Sequence, residues 1–147
     1  MKEIGIGVIG TAFMGKAHSI AYASAGTAFG GNLRPRLEMV CDQDPQIAEA
    51  KRAEMGFARC TTNYMDVVND PKVDLISICV PNSVHKEIAI AALAAGKHVW
   101  CEKPMSTNLA DSQAMVDAAE ASEQKTIVGY NYIQNPLVHA ARDMINE

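Results

Sequence analysis

Two rhythms of apolar residues alternate along the chain. Short, nearly continuous apolar runs, of which Ile4–Ile9 and Val73–Val80 are the clearest, have the character of strands buried on both faces. Between them lie longer stretches in which apolar or small residues recur every three or four positions, the period of a helix packed on one side. The runs predict strands at Ile4–Ile9, Arg36–Cys41, near Ala58–Cys60, at Val73–Val80, His98–Cys101 and Thr126–Gly129. Helices are predicted over Phe13–Ala25, from Pro45 to Gly56, over Tyr64–Asn69, from Asn82 or Ser83 to Gly96, and over Asn108–Ala121.

Punctuation supports these bounds. Asp44 before Pro45 is an N-cap followed by a first-turn proline, Gly56 and Gly96 are C-terminal stops, and Asn108 with Asp111 forms a capping pair. In the first helix Ala17, Ile20, Ala21 and Ser24 make a narrow face suited to a sheet, with Gly26 as its stop and Thr27–Pro35 as a loop. In the fourth, Val84, Ile88, Ala91, Ala92 and Ala95 share one side. Strand–helix alternation implies right-handed crossovers and an α/β fold: a doubly wound, mostly parallel sheet of about six strands with helices on both faces. A final helix opens at Asn135-Pro136 and is expected to run to Glu147, with Leu137, Ala140, Ala141, Met144 and Ile145 on one side. That face wants a partner, so the chain reads as the first part of a longer protein.

Composition narrows the classes. The chain has 147 residues, 48% of them apolar, with a net charge of −4 and scattered Lys and Arg. That length supports one domain, and the charge gives a nucleic acid no basic surface to hold. No apolar run approaches the ~20 residues of a membrane span, and the start lacks a signal-peptide pattern. Four cysteines, at 41, 60, 79 and 101, are widely spaced with no C-x-x-C pair, as expected of buried thiols in a reducing cytoplasm and not of a metal site.

Chemistry concentrates at strand ends. Gly10, Ala12 and Gly15 occupy the three places of a G-x-G-x-x-G/A fingerprint between the first strand and its helix. Gly10 makes the turn, Gly15 lets the helix pack close, and the N–H groups at the helix start can meet a pyrophosphate. Ala12 departs from the usual second glycine, and a purely structural strand-to-helix turn is the plain alternative. Asp42 ends the second strand, where a carboxylate can accept both ribose hydroxyl hydrogens of NAD and repel the extra phosphate of NADP. The other account of Asp42 is a solvated turn residue. Val80 ends the fourth strand, and Pro81-Asn82-Ser83-Val84-His85 follows it at the switch point of the sheet. There Asn82 and His85 can face a cofactor, although a helix-capping cluster explains them equally well. His18 and His98 read as structural. Trp100-Cys101-Glu102-Lys103-Pro104-Met105 ends the fifth strand, placing a carboxylate, an ammonium and a proline at the mouth of the crevice. Lys103 there can hydrogen-bond a substrate hydroxyl or stabilise an alkoxide. A cis bond at Pro104 would aim it, and a surface ion pair with Glu102 is the alternative.

Gly10-x-Ala12-x-x-Gly15-x-x-His18, Val80-Pro81-Asn82-x-x-His85, Gly96-Lys97-His98-Val99-x-x-Glu102-Lys103-Pro104 and Gly129-Tyr130-Asn131-Tyr132 occur in that order. Together they resemble the N-terminal Rossmann domain of the Gfo/Idh/MocA oxidoreductases over essentially the whole chain. The resemblance implies a dinucleotide-binding domain over residues 1–131 and a linking helix over 132–147, leading to a substrate domain. It implies hydride transfer between NAD and a sugar, polyol or cyclitol, and an oligomeric full-length enzyme. Lys103 would be the catalytic or substrate-orienting lysine, Glu102 and Asn131 would lie near the nicotinamide, and Thr11, Ala12, Phe13 and Met14 would line the pyrophosphate. Ile133 departs from the arginine of many members. A proton-accepting histidine is expected outside this chain. A non-catalytic NAD-sensing domain is the alternative function.

Overall fold

The computed structural model describes residues 2–146; Met1 and Glu147, which the expected domain bounds include, lie outside the described residues. The chain runs β1 (Lys2–Ile9), α1 (Phe13–Phe29), β2 (Leu33–Cys41), α2 (Pro45–Met55), β3 (Arg59–Thr61), α3 (Tyr64–Asn69), β4 (Leu75–Ile78), α4 (His85–Ala94), β5 (His98–Cys101), α5 (Leu109–Glu120), β6 (Thr126–Val128) and α6 (Pro136–Asn146). One six-stranded sheet has the order β3-β2-β1-β4-β5-β6, with every pairing parallel. Because the order reverses beside β1, the loops after β1 and β4 part and leave a crevice at the carboxyl rim.

Alternate residues of the strands feed two cores. Ile6, Val8, Val40 and Phe57 are buried together beneath α1 and α2, with Tyr22 and Met55 packed on them. Ile9, Met39, Ile76, Ile78, Val99 and Cys101 face the other way, onto Val67 and Val68 of α3, Ile88 and Ala92 of α4, and Met115 of α5. The capping motifs behave as their chemistry dictates. Asp44 accepts from the N–H groups of Gln46 and Ile47 at 2.8 and 3.1 Å, and Asn108 accepts from Asp111 N–H at 2.9 Å.

Three expectations need correction. α1 runs through Gly26 to Phe29 and stops only where Gly30 and Gly31 take positive φ, so the predicted loop is largely helix and strand. β2 accordingly starts at Leu33 and contains Pro35. The proline is tolerated because β3 pairs only with Met39–Cys41, leaving the first half of β2 open on that side. The face that α1 turns to the sheet is Gly15, His18, Ser19 and Tyr22, while Ile20 is 59% exposed. An apolar-period reading selects the wrong side because this helix buries hydrogen-bonded polar groups: Ser19 donates to Gly15 O at 2.7 Å and Tyr22 meets Ser77 at 2.7 Å. On α4 the buried residues are His85, Ile88, Ala89, Ala92 and Leu93, a rotation of the expected face. α6 packs on the 3-10 turn at Asn131–Gln134, and none of its described residues is buried.

At the opposite, amino rim the fold carries a buried acid. The β1–β2 register slips between Ile6 and Gly7, so Glu38 is the extra residue of a bulge and points inward. Arg59 reaches it with two nitrogens, at 2.5 and 3.1 Å, and also holds Asp70 at 2.5 Å; Arg36 pairs with Glu38 as well. The Arg59 hydrogen bond holds the Asp70 carboxyl below its ordinary range, helped by the Lys72 N–H. Replacing Arg59 by Ala removes the ion pair of Asp70 and leaves Glu38 with Arg36 alone, and chemical denaturation should show a loss of about 1–3 kcal/mol at neutral pH. A carboxyl depressed in the folded state adds stability above its unfolded value, near 3.9, and loses it as the pH falls through the lower folded value. The difference between wild type and Arg59→Ala should therefore shrink on acidification below about pH 4.

Candidate functional site

β1 ends in a turn that has no room for side chains. Gly10 sits at φ +97°, and a Cβ there would overlap the carbonyl of Cys79 at the end of β4. A Cβ on Gly15 would overlap the carbonyl of Gly10. These two glycines are dictated by left-handed backbone and by close approach. Ala12 is different. As the N-cap of α1 it has φ −66° and an exposed side chain, so a methyl group costs nothing at the fingerprint position usually held by glycine. No side chain caps α1, and its first turn holds no acidic residue, so its leading N–H groups remain open to an anion.

Above this turn lies a cleft of about 620 Å³. One wall is Gly10–Ala12, another is Cys41–Gln43 at the end of β2, a third is Thr62–Tyr64, and the far side is Cys79–Pro81 with Ser83, Val84, Glu87 and Ile88. Asp42 spans the first two walls. Its carboxylate accepts from the Thr11 hydroxyl and, at 3.2 Å, from Asp44 N–H. Backbone bonds lock the same corner: Gly10 N–H donates to Cys41 O at 2.9 Å, and Cys79 N–H to Ile9 O at 2.8 Å. A neighbouring hollow is bounded by Thr11, Ala12, Phe13, Lys16, Asp42, Ile47 and Lys51, so the outer side of Asp42 is also open.

The two cysteines of the cleft are not thiolates. Burial, with Asp42 nearby, pushes the Cys41 thiol up to about 12; burial, with Glu102 nearby, does the same for Cys79. Both are protonated at neutral pH and serve as small apolar lining. The arrangement can hold a molecule with an anionic centre at the helix start and hydroxyl groups at Asp42.

The other sequence-predicted residues divide into two groups. Thr11, Ala12, Asp42, Val80 and Pro81 join Gly10 in the cleft lining. Phe13 projects into solvent at 83% exposure, Met14 and Asn82 are half-buried beside the lining, and Asn131 is exposed just past β6. His85 is 0% exposed: its Nε2 lies 2.8 Å from Val80 O and its Nδ1 3.3 Å from Cys101 Sγ. Its ring is therefore buried against Val80 and Cys101, outside the cleft lining, and does not face the cleft as predicted from the sequence.

Glu102, Lys103 and Asn131 follow β5 and β6 on the same carboxyl rim as Asp42, though outside the cleft lining. Lys103 is exposed, and its Nζ makes no hydrogen bond or ion pair among the described residues; the Lys103–Pro104 peptide is cis. Glu102 is buried. It lies 2.9 Å from His18 Nε2, and its other oxygen accepts from Lys103 N–H at 3.3 Å, so the surface ion pair with Lys103 does not form. Sequence reasoning left His18 as structural and missed Ser77 and Tyr22, the polar partners buried around it. The one available signal was a serine in the otherwise apolar run Leu75–Ile78.

Comparison with known proteins agrees with this geometry. Residues 4–130 match the family model described as "Oxidoreductase family, NAD-binding Rossmann fold". The levoglucosan dehydrogenase of Pseudarthrobacter phenanthrenivorans is 36% identical over the whole of this chain, which spans 38% of that protein's length. The myo-inositol 2-dehydrogenase of Thermotoga maritima is 29% identical over 86% of the chain, matching 36% of its own length. Among solved structures, levoglucosan dehydrogenase in complex with NADH superposes with a TM-score of 0.94 over 99% of this chain and 39% of that one. An NAD binding oxidoreductase from Klebsiella pneumoniae, 40% identical, gives 0.93 over 99% of this chain and 39% of its own. The chain thus spans about two fifths of these relatives. With its parallel sheet, its two obligatory glycines and its matched residues, it belongs to the Gfo/Idh/MocA oxidoreductase family as a Rossmann NAD-binding domain.

Proposed function

We propose that this chain is the cofactor-binding part of an NAD-dependent dehydrogenase acting on a sugar, polyol or cyclitol. The observation that carries the reading is Asp42: a carboxylate bridging Thr11 and Asp44 on the wall of a cleft whose floor is the Gly10 turn. Levoglucosan dehydrogenase and the inositol dehydrogenases supply the substrate class.

The residues present fit the dinucleotide. The start of α1, over Thr11–Met14, holds the pyrophosphate with its open N–H groups. Asp42 accepts the two hydroxyl hydrogens of the adenosine ribose, and its negative charge disfavours a 2′-phosphate, which makes NAD the preferred form over NADP. Val80 and Pro81 border the far half of the cleft, Asn82 adjoins them, and Asn131 stands on the same rim beyond β6. Bound there, the nicotinamide supplies a carbon that accepts or gives a hydride.

The role left to the protein at the reacting centre falls to Lys103. Its ammonium is exposed on the rim and has no partner among the described residues, so it would hydrogen-bond a substrate hydroxyl and stabilise the alkoxide left when that hydroxyl gives up its proton, before the carbon yields its hydride and becomes a carbonyl. Residues 1–131 make the dinucleotide domain and 132–147 a link to a substrate domain supplying the proton acceptor.

Calorimetric titration of the chain with NADH and NADPH tests this. Wild type should prefer NADH, and Asp42→Ala should weaken NADH about 10- to 100-fold, the loss of one or two charge-assisted hydrogen bonds, while NADPH weakens less or improves. Equal losses for both would remove the ribose assignment, and no binding of either by wild type would remove the cofactor reading. Gly10→Ala forces a methyl group against Cys79 O at a positive φ; thermal melting should show destabilisation of about 1–3 kcal/mol, together with loss of NADH binding.

A further inference from the structure

The cleft explains Gly10, Asp42 and their neighbours, but it leaves a second polar constellation unused. Under α1, four side chains from three elements form one hydrogen-bonded chain inside the protein. Tyr22 Oη lies 2.7 Å from Ser77 Oγ, Ser77 Oγ lies 3.1 Å from His18 Nδ1, and His18 Nε2 lies 2.9 Å from Glu102 Oε1. Glu102 then accepts from Lys103 N–H through its second oxygen. His18, Ser77 and Glu102 are 7%, 0% and 6% exposed. The imidazole is also walled edge-on by Trp100, with ring centroids 4.9 Å apart, and by Tyr22 at 6.3 Å.

Donor and acceptor accounting gives this chain a direction. Tyr22 O–H donates to Ser77, Ser77 O–H donates to His18 Nδ1, and His18 Nε2–H donates to Glu102. Every donor in the chain then has an acceptor.

The placement matters more than the count. His18 stands one turn after Gly15 on α1, the helix whose start would carry the pyrophosphate. Glu102 precedes Lys103 directly, and its own N–H is bound to Ile78 O at 3.0 Å. One imidazole therefore ties the helix of the cofactor turn to the backbone that bears the ammonium.

We propose that His18 is a positioning residue: through Glu102 it fixes the Lys103 backbone relative to the cofactor turn. Ser77 and Tyr22 set its tautomer, and Trp100 sets its plane. The proposal rests on the reading of Lys103 as the group that meets the substrate beside bound NAD.

Amide NMR of the chain tests it. His18→Phe keeps the ring shape and removes both hydrogen bonds, whereas His18→Gln keeps a donor toward Glu102. In His18→Phe, hydrogen exchange at the Lys103 amide should quicken about tenfold, the loss of one buried hydrogen bond, while Gly10 and Gly15 stay at the wild-type rate. The shift of the Lys103 amide on adding NADH should vanish in His18→Phe and return in His18→Gln. A dispersed His18→Phe spectrum with unchanged exchange at Lys103, or a rise spread equally over α1 and β5, overturns the proposal. Should His18→Phe not fold, the wild-type ring decides: a long-range proton–nitrogen spectrum must show the neutral Nε2–H tautomer, and an Nδ1–H ring overturns it. Wild type that ignores NADH overturns the cofactor reading and this proposal with it. Normal NADH binding with unchanged Lys103 exchange overturns this proposal alone.

Discussion

The constraint on which the working edge of the molecule depends is the approach of Gly10, in left-handed backbone, to the Cys79 carbonyl. β1 is flanked on both sides, by β2 and β4, and the chain must leave it at once to start α1. Only a residue without Cβ can make that exit at φ +97° with another strand's backbone against it. Everything functional follows from where this turn is forced to lie. It sets the first N–H groups of α1 over the reversal in strand order and brings Thr11 beside Asp42. It also starts the helix that delivers His18 to the far side of the sheet's switch point.

The two rims of the sheet use charge differently. At the amino rim, Glu38 and Asp70 are buried and answered by Arg59 and Arg36, so acids and bases cancel and the region holds the fold together. At the carboxyl rim Asp42 and Lys103 have no ionic partner among the described residues. Unpaired charge at the mouth of a cleft and paired charge at the opposite end is the division expected of a scaffold with a single working edge. The histidines divide in the same way: His18 and His85 are both buried, one under the Lys103 backbone and the other under Val80, each bracing a segment of that edge from below.

Much of this was legible in the residues. Continuous apolar runs located the strands, Asp44-Pro45 and Asn108 located helix starts, and the strand–helix alternation gave the parallel sheet. The misplaced buried faces share one physical cause. Periodicity detects apolar burial, and α1 buries His18, Ser19 and Tyr22, whose polar atoms are satisfied by partners far along the chain. Nothing local announces that Ser77, 59 residues from His18, will meet its ring. His85 was misplaced for the same reason, since its partners Val80 O and Cys101 Sγ exist only once β4 and β5 are side by side. Gly26 misled in the opposite sense: exposed and without neighbours, it is tolerated inside α1, and the stop falls at Gly30 and Gly31.

The central claim is that the carboxyl rim, around the Gly10 turn and Asp42, is shaped for a dinucleotide. The most direct test is a residue-by-residue map of amide shifts as NADH is added. Saturable shifts are expected at Gly10–Met14, Asp42, Val80 and Asn82, with none at Lys72, Asp74 or Lys97 on the opposite rim. Shifts centred on that opposite rim, or a spectrum that NADH leaves unmoved, would contradict it.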